Sequence, residues 1–246
     1  MQLQQLLKDT VSEMDRALER MVELVPPARS ITFRDSFVYR HVEHLPQQAI
    51  VQKMSRIPSG LRAAQLLCDA GYFQEQSSLQ RIIDELGEDV IFLSVPIIFG
   101  NESQIHRKYL DAFFAEEYDP VSGKPVPEQR PMIPRKKIRA AIANSPLGTQ
   151  DPSSHMEAGK TISKAYSGFV HGASPHIMDT YGGNPPRFHT AGMLGTIREV
   201  EHRQDIVNYY FRGLSAYIIG ARAIGHQPVF DRLYQLSGVY NSLGVG

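Results

Sequence analysis

The sequence predicts an all-α protein, a bundle of about seven or eight helices in a single domain over residues 1–246. Apolar residues recur every three or four positions along most of the chain. Nowhere do four or more residues alternate cleanly between apolar and polar with turn residues in hairpin positions. Hydrophobic residues make up 42% of the 246, which is enough for a substantial core.

An N-terminal amphipathic segment, residues 1–27, is predicted to be helical over 2–25 and to end at Pro26 and Pro27. Its apolar residues form one narrow stripe: Leu3, Leu7, Val11, Met14, Leu18, Met21 and Val25. Such a stripe suits packing against one partner, either inside the bundle or across a homodimer interface. The sequence leaves both alternatives open.

The next helices are predicted from weaker signals. A helical pattern over 33–54 is expected to be split at Pro46, and a new helix is expected to begin behind Ser59 as N-cap and to stop at Gly71. A central helix then follows, with its apolar residues on one face: Leu79, Ile82, Ile83, Leu86, Val90 and Leu93. Another helix is predicted over about 102–118.

Residues 119–135 contain five prolines and are predicted to form a proline-rich surface loop within the single domain. A helix resumes after Pro134 and closes at Pro146. Two further helices are predicted at about 154–171 and 192–224, with a Gly/Pro-rich loop, residues 172–191, between them. A short segment at 228–236 ends the pattern.

Composition limits the classes of function. Twenty-six Lys and Arg balance twenty-six Asp and Glu, which argues against a long electrostatic footprint on nucleic acid but leaves a local basic patch open. The single cysteine, Cys68, excludes an intramolecular disulfide and lies in an apolar run typical of a buried thiol. The start lacks the pattern of a signal peptide, and the longest apolar run is about a dozen residues, short of the roughly 20 that span a bilayer. We therefore expect a cytoplasmic protein without membrane contact.

Residues 163–190 concentrate three histidines, and the first of them, His171, ends a predicted helix. On a helical wheel Lys160, Lys164, Ser167 and His171 lie opposite the apolar side of that helix. The carboxyl end of a helix favours imidazolium, so His171 is suited to exchange protons. A role as helix cap alone is the alternative.

The segment beyond His171 cannot be helical at Pro185 and Pro186. Gly182 and Gly183 allow a left-handed turn whose bare amides can receive an anion or a phosphate. The flanking polar residues are Asn184, Arg187 and His189, together with His176 before the turn. An ordinary connection between helices uses the same residue types.

Two more pairs of charged or polar residues are candidates for a functional role. Arg81 and Glu85 lie four apart on the central helix and form either a surface ion pair or, if other helices cover them, a pair that orients a ligand. Glu199 and His202 have the spacing of dinuclear helical sites, but the chain has no second copy of that motif. We therefore expect no metal and no cofactor.

The segment "GLRAAQLLCDAGYFQEQSSLQRIIDELGEDVIFL" resembles the opening helical hairpin of an uncharacterised bacterial group in the HEPN superfamily. Arg81 and Glu85 match the Arg-x-x-x-Glu pair of that group, and Tyr166 and His171 in "AYSGFVHG" match its Tyr-x-x-x-x-His signature. The resemblance covers roughly residues 58–99 and 155–176. It implies a HEPN-like α-helical bundle, often a dimer.

Active members of that superfamily are metal-independent ribonucleases that use Arg-x4-6-His, in which both residues act on the scissile phosphate and the ribose 2′-hydroxyl. The matching window here lacks the arginine. Lys164, with six residues between it and His171, stands in its place, and lysine lacks the bidentate fork of arginine. Arg81, Arg187 or Arg198 would have to supply that group from elsewhere in the fold.

The leading hypothesis is a HEPN-like protein that binds RNA or a nucleotide, acting as a divergent metal-independent ribonuclease of a defence or toxin system. The expected catalytic residues are His171, Lys164, Arg81 and Glu85, and the expected binding residues are Tyr166, His176, Gly182, Gly183, Asn184, Arg187 and His189. This hypothesis predicts that His171 and an arginine converge in a cleft near residues 182–189.

Two alternatives stay open. A non-catalytic interaction or regulatory protein of the same fold, with a protein partner or as a homodimer, predicts instead that these groups lie apart and that an apolar surface is exposed. The second alternative is a metal-dependent or small-molecule enzyme.

Overall fold

The structure is a computed structural model that describes residues 3–126, 132–148 and 152–244. Most of these residues are helical, so the predicted helical bundle is confirmed. The helices are α1 (Leu3–Val22), α2 (Pro46–Asp69), α3 (Phe73–Phe99), α4 (Gln104–Phe114), α5 (Arg135–Ala143), α6 (Pro152–His171), α7 (Ser174–Met178), α8 (Arg198–Ile224) and α9 (Gln227–Ser242). Two antiparallel hairpins join them: β1 (Arg29–Phe33) with β2 (Ser36–Arg40), and β3 (Tyr181–Gly182) with β4 (Arg187–Phe188).

The centre of the bundle is built from α2, α3 and α8, with α1 and α9 packed against α8 and α6 packed against α3. The narrow apolar stripe of α1 is used within the chain, since Leu7, Val11, Met14 and Met21 are buried in the core. That observation selects the intramolecular alternative for this stripe. Cys68 is also buried in the core, as its apolar surroundings predicted.

The predicted break in α2 is wrong. The helix begins at Pro46 and continues through Pro58, so Ser59 is an interior residue instead of an N-cap. A proline within a helix deprives the carbonyl four residues earlier of its usual donor. Here that carbonyl belongs to Met54, and the Tyr217 hydroxyl of α8 donates to it at 2.8 Å. Tertiary packing thus replaces the bond that Pro58 removes.

The helix predicted to begin at residue 33 is also wrong, because residues 29–40 form a hairpin with Ile31 opposite Val38. Its two-residue turn is Arg34 and Asp35, and Arg34 has φ of 52° without being glycine or asparagine. The Arg34 amide donates to the carbonyl of Pro120 at 3.1 Å. The loop after α4 therefore holds the tip of this hairpin.

Several predicted boundaries shift. The helix expected over 102–118 is α4 and ends at Phe114, α8 begins at Arg198 instead of residue 192, and the segment expected at 228–236 is the longer helix α9. The proline-rich segment folds back on itself through a bridge between Tyr118 and Pro125, while residues 127–131 lie outside the described part of the chain. No helix in the described ranges has the length and apolarity needed to cross a membrane.

Candidate functional site

The solvent-facing side of α6 carries a row of basic residues. Lys160, Lys164 and His171 are exposed, and at roughly 100° per residue they fall within about 40° of one another on the helix. The row is about 16 Å long at roughly 1.5 Å per residue. Exposed Glu157 precedes it on the same side. The polar face predicted for this helix is therefore present, with His171 as the last helical residue.

The opposite side of α6 packs into the bundle through Tyr166. Its hydroxyl donates to Asp205 of α8 at 2.8 Å, and its ring meets Tyr209 edge to face at 5.4 Å between centroids. Burial, followed by the hydrogen bond to Asp205, raises the pKa of Tyr166. Tyr166 thus lies apart from the surface that carries Lys164 and His171.

Arg81 and Glu85 form an ion pair at 2.6 Å on α3. The Arg81 side chain is only 15% exposed, whereas that of Glu85 is 40% exposed, so the pair is half covered by the neighbouring helices. Nη1 of Arg81 is buried without a hydrogen-bond partner, as are both amide atoms of the neighbouring Gln80. Across the described ranges no hydrogen bond or ion pair links this pair to Lys164 or His171.

A second polar cluster on α3 surrounds Asp84, which sequence reasoning missed. Its carboxylate contacts the Arg212 guanidinium at 2.6 Å and accepts from the Tyr209 hydroxyl at 3.4 Å. Burial raises the pKa of Asp84 to about 6, against the opposing attraction of Arg212. A cleft of about 160 Å³ opens beside it, and Gly87 and Ser215 are among its lining residues.

The sequence carried one signal for this cluster. Five of the six apolar residues predicted for the buried side of α3 lie in the core or pack against it and only Ile82 is exposed, but polar residues are buried beside them. The buried polar residues are Gln76, Ser77, Gln80, Asp84, Asp89 and Ser94. Polar residues at helical spacing inside a strongly apolar segment indicate a buried network, but its partners on α8 follow only from the packing.

Ion pairs fasten α5 to α3 about one turn beyond Asp84. Arg135 contacts both Glu88 and Asp89, Arg139 contacts Glu88 at 2.7 Å, and Lys53 of α2 contacts Asp89 at 2.7 Å. All five side chains have a partner of opposite charge. The arrangement therefore accounts for the position of α5.

The 172–191 loop contains the short helix α7, which His176 fixes to α6. The His176 Nε2 atom forms a hydrogen bond with the carbonyl of Ala165 at 2.9 Å, and its ring lies directly over Gly168. A Cβ atom at Gly168 would be 2.1 Å from the ring. Gln74 of α3 also donates to the His176 carbonyl at 2.8 Å. His176 thus serves to position the segment that follows.

Beyond α7, the β3–β4 hairpin borders a cleft of about 490 Å³. Gly183 has φ of +90°, but Gly182 does not take the left-handed conformation and instead pairs with Arg187 across the hairpin. The predicted left-handed turn is therefore made by Gly183 alone. Asn184 lies in the connection between the strands, and His189 lines the cleft from the end of β4.

The predicted convergence of His171 with an arginine in this cleft is wrong. The histidine that lines the cleft is His189, and the arginine is Arg198. Arg198 already pairs with Asp179 and, at 3.3 Å, with Glu201. His171 remains at the exposed end of α6.

The Glu199 and His202 pair does not form a metal centre. Glu199 accepts from Arg203 at 2.8 Å and from the Gly195 amide at 2.7 Å, whereas His202 is buried and stacks on Phe73 at 4.9 Å. Burial lowers the pKa of His202. Within the described ranges no three His, Cys, Asp or Glu side chains form a group that could hold a metal ion.

Comparison with protein-family models, curated proteins and solved structures finds no match for this chain. The resemblance to the HEPN group therefore stays a prediction. Function has to be inferred from the geometry of α6 and of the segment that follows it.

Proposed function

We propose that this protein binds RNA through the basic row on α6, with His171 available for metal-independent cleavage of the bound strand. The observation that carries the proposal is the exposure of Lys160, Lys164 and His171 along one side of that helix. Lysines spaced along a helix give an array of positive charge for successive phosphates.

The distribution of charge supports this proposal. Residues 157–198 contain four cationic side chains, Lys160, Lys164, Arg187 and Arg198, and two carboxylates, Glu157 and Asp179, in a chain without net charge. Asp179 is paired with Arg198. Neither lysine has an ion pair with a described carboxylate. An anionic ligand therefore meets a local excess of positive charge.

The proposed chemistry assigns a role to each predicted catalytic residue. His171 exchanges a proton with the 2′-hydroxyl or with the leaving oxygen, and Lys164 neutralises charge on the phosphate. Glu85 holds Arg81 by the ion pair described above, which assigns the two a positioning role within α3, without a described bond to His171 or Lys164. The proposed reaction requires no metal ion.

Binding is tested with a fluorescently labelled 20-nucleotide RNA of mixed sequence, titrated by anisotropy at several salt concentrations. A Lys160→Gln/Lys164→Gln variant is expected to bind about tenfold or more weakly and to lose about 1.4 from the slope of log K against log salt, at about 0.7 per phosphate contact. The matched control is Lys8→Gln/Lys108→Gln, which removes two exposed lysines from α1 and α4. Equal losses in both variants would contradict a site on α6.

Cleavage is tested by incubating a cellular RNA pool in EDTA and sequencing the fragment ends. We expect 2′,3′-cyclic phosphate ends with the wild type and with His189→Ala, and none with His171→Ala. Loss of cleavage in His189→Ala alone would move the reaction to the hairpin cleft. Equal fragment patterns from wild type, His171→Ala and His189→Ala would contradict catalysis by either histidine and leave RNA binding as the proposed function.

A second candidate is the non-catalytic interaction protein, and two observations favour it: His171 does not line the cleft that contains Arg198, and apolar side chains near the start of α8 are exposed. Ile197 is 89% exposed, and Val200 and Leu194 are also exposed. Leu194 and Ile197 line the same cleft, and contiguous exposed apolar groups are typical of protein contacts. A homodimer in sedimentation experiments that Ile197→Asp converts to a monomer would favour this candidate.

A further inference from the structure

The β3–β4 hairpin displays two aromatic rings to solvent. Tyr181 and Phe188 are cross-strand partners whose ring centroids are 4.8 Å apart, with their planes at 61°. Tyr181 is 44% exposed and Phe188 is 50% exposed, and neither belongs to the hydrophobic core. These rings, which we call the aromatic pair, are held at the surface with much of their apolar area open to water.

The hairpin is fixed to the bundle on both sides. After the hairpin, the Met193 amide donates to the carbonyl of Gly71 at 2.9 Å, while the His189 amide closes the hairpin itself by donating to the carbonyl of Thr180 at 2.8 Å. On the other side α7 is anchored by His176, as described above. The aromatic pair is therefore presented on a braced support, which lowers the entropy lost when a ligand stacks on it.

The surroundings of the aromatic pair are cationic. Residues 180–197 contain no Asp or Glu, the neighbouring Asp179 is paired with Arg198, and Arg187 immediately precedes Phe188 and is exposed. His189 follows Phe188 and lines the cleft of about 490 Å³ that Tyr181 also borders. This volume lies within the range of about 300–1,000 Å³ found for small-molecule sites.

We propose that the aromatic pair is a stacking platform for unpaired bases of single-stranded RNA and that Arg187 contacts the phosphate beside them. This inference rests on the proposed function and adds the class of RNA. Aromatic side chains stack on any base, but a duplex keeps its bases covered, so stacking selects single strands. The basic row of α6 contacts phosphates in either form.

The local charge favours RNA over an apolar protein partner for this hairpin. A ligand that stacks on the rings lies beside the positive charge of Arg187, and the carboxylate nearest to it in sequence, Asp179, is paired with Arg198. Nucleotides supply both an aromatic face and a negative charge at this short spacing.

The first hairpin provides a matched control. Phe37 and Tyr39 are exposed to a similar degree, with ring centroids 5.5 Å apart, but the neighbouring Arg40 is neutralised by Glu116. Phe188→Ala and Phe37→Ala therefore remove comparable exposed rings from different charge environments. Circular dichroism spectra of both variants are compared with that of the wild type to check that they are folded.

The test measures Kd for a 20-nucleotide single strand and for the corresponding duplex RNA. Phe188→Ala is expected to weaken single-strand binding by about fivefold to 100-fold and to leave duplex binding within about twofold, while Phe37→Ala changes neither. A single strand that contains 2-aminopurine is expected to lose fluorescence on binding the wild type, and to lose much less on binding Phe188→Ala.

Three results would overturn the inference. Wild-type protein that binds neither RNA removes the proposed function as well. Wild-type protein that binds RNA through Lys160 and Lys164, with Phe188→Ala equal to Phe37→Ala, removes the stacking platform alone. Conversion of a dimer to a monomer by Phe188→Ala would assign the rings to a protein contact.

Discussion

The buried carboxyl of Asp84 predicts an unusual dependence of stability on pH. Its side chain is 6% exposed, and burial is the largest cause of the rise in its pKa from 3.8 to about 6. Between these values the folded protein holds a proton that the unfolded chain has released. The free energy of unfolding due to this group therefore falls as pH rises from about 4 to about 6. At about 1.4 kcal/mol per unit, the decrease is about 3 kcal/mol.

The perturbation is Asp84→Asn, which keeps the shape and one oxygen to accept from Tyr209 but cannot ionise. The variant is expected to gain stability relative to wild type by about 3 kcal/mol between pH 4 and pH 7. The lost attraction of Arg212 does not reverse this sign, because the raised pKa of Asp84 already includes it.

The assay is urea unfolding followed by circular dichroism at half-unit steps from pH 4 to pH 7.5. Comparing variant and wild type at each pH cancels the contributions of other titrating groups to the free energy of unfolding. One such group is His202, whose lowered pKa makes stability fall as pH drops below about 6.5. Asp15→Asn, in an exposed ion pair with Arg62, is the control and is expected to show a small difference. A difference for Asp84→Asn that stays flat or shrinks as pH rises would refute the reasoning, since Asp84 would then be ionised in the fold throughout.

Two further stability predictions follow from close contacts. Gly168→Ala is expected to destabilise the fold by about 1–3 kcal/mol because the new methyl meets the His176 ring, and adding His176→Ala should recover part of that loss. Gly182→Ala is its control, since no atom lies within 4 Å of the added methyl. Tyr217→Phe is expected to cost about 1–3 kcal/mol because the buried carbonyl of Met54 loses its donor. Urea unfolding measures all of these, and a Tyr217→Phe protein as stable as wild type would contradict the proposed compensation.

Helical periodicity was sufficient to predict most of the bundle, and its failures have local causes. The first hairpin was not predicted because its turn uses Arg34 and Asp35 and lacks the Asn-Gly or Gly that normally supplies positive φ. Loop contacts hold Arg34 in that conformation. Continuation of α2 through Pro58 depends on Tyr217, which lies 159 residues further along the chain. Both contacts join residues that are far apart in the sequence, so rules that consider only neighbouring residues do not predict them.

The candidate site also has a part that helical geometry predicts and a part that depends on tertiary packing. The exposure of Lys160, Lys164 and His171 follows from helical geometry, and the sequence predicted it. The position of His176 over Gly168 depends on a tertiary approach of α7 to α6 and could not be predicted, whereas His189 lies beside the Gly182 and Gly183 turn as the sequence predicted. The partners of Asp84 depend on the rotation of α8 about its axis, which the apolar pattern of α8 does not specify.

The spacing along α6 separates RNA binding from catalysis. Lys164 and His171 are seven residues apart, or about 10 Å along the helix axis, and Lys160 lies about 6 Å beyond Lys164. If the row simply follows the phosphate backbone, the two lysines act alike, and Lys160→Gln and Lys164→Gln should weaken binding to a similar extent. If Lys164 leans along the helix to reach the phosphate on which His171 acts, Lys164→Gln should lower kcat by at least about tenfold more than Lys160→Gln, with similar KM. Measuring kcat and KM for both single variants on one short RNA substrate decides between the two. Equal kcat values would contradict the catalytic role of Lys164 and leave it a phosphate contact.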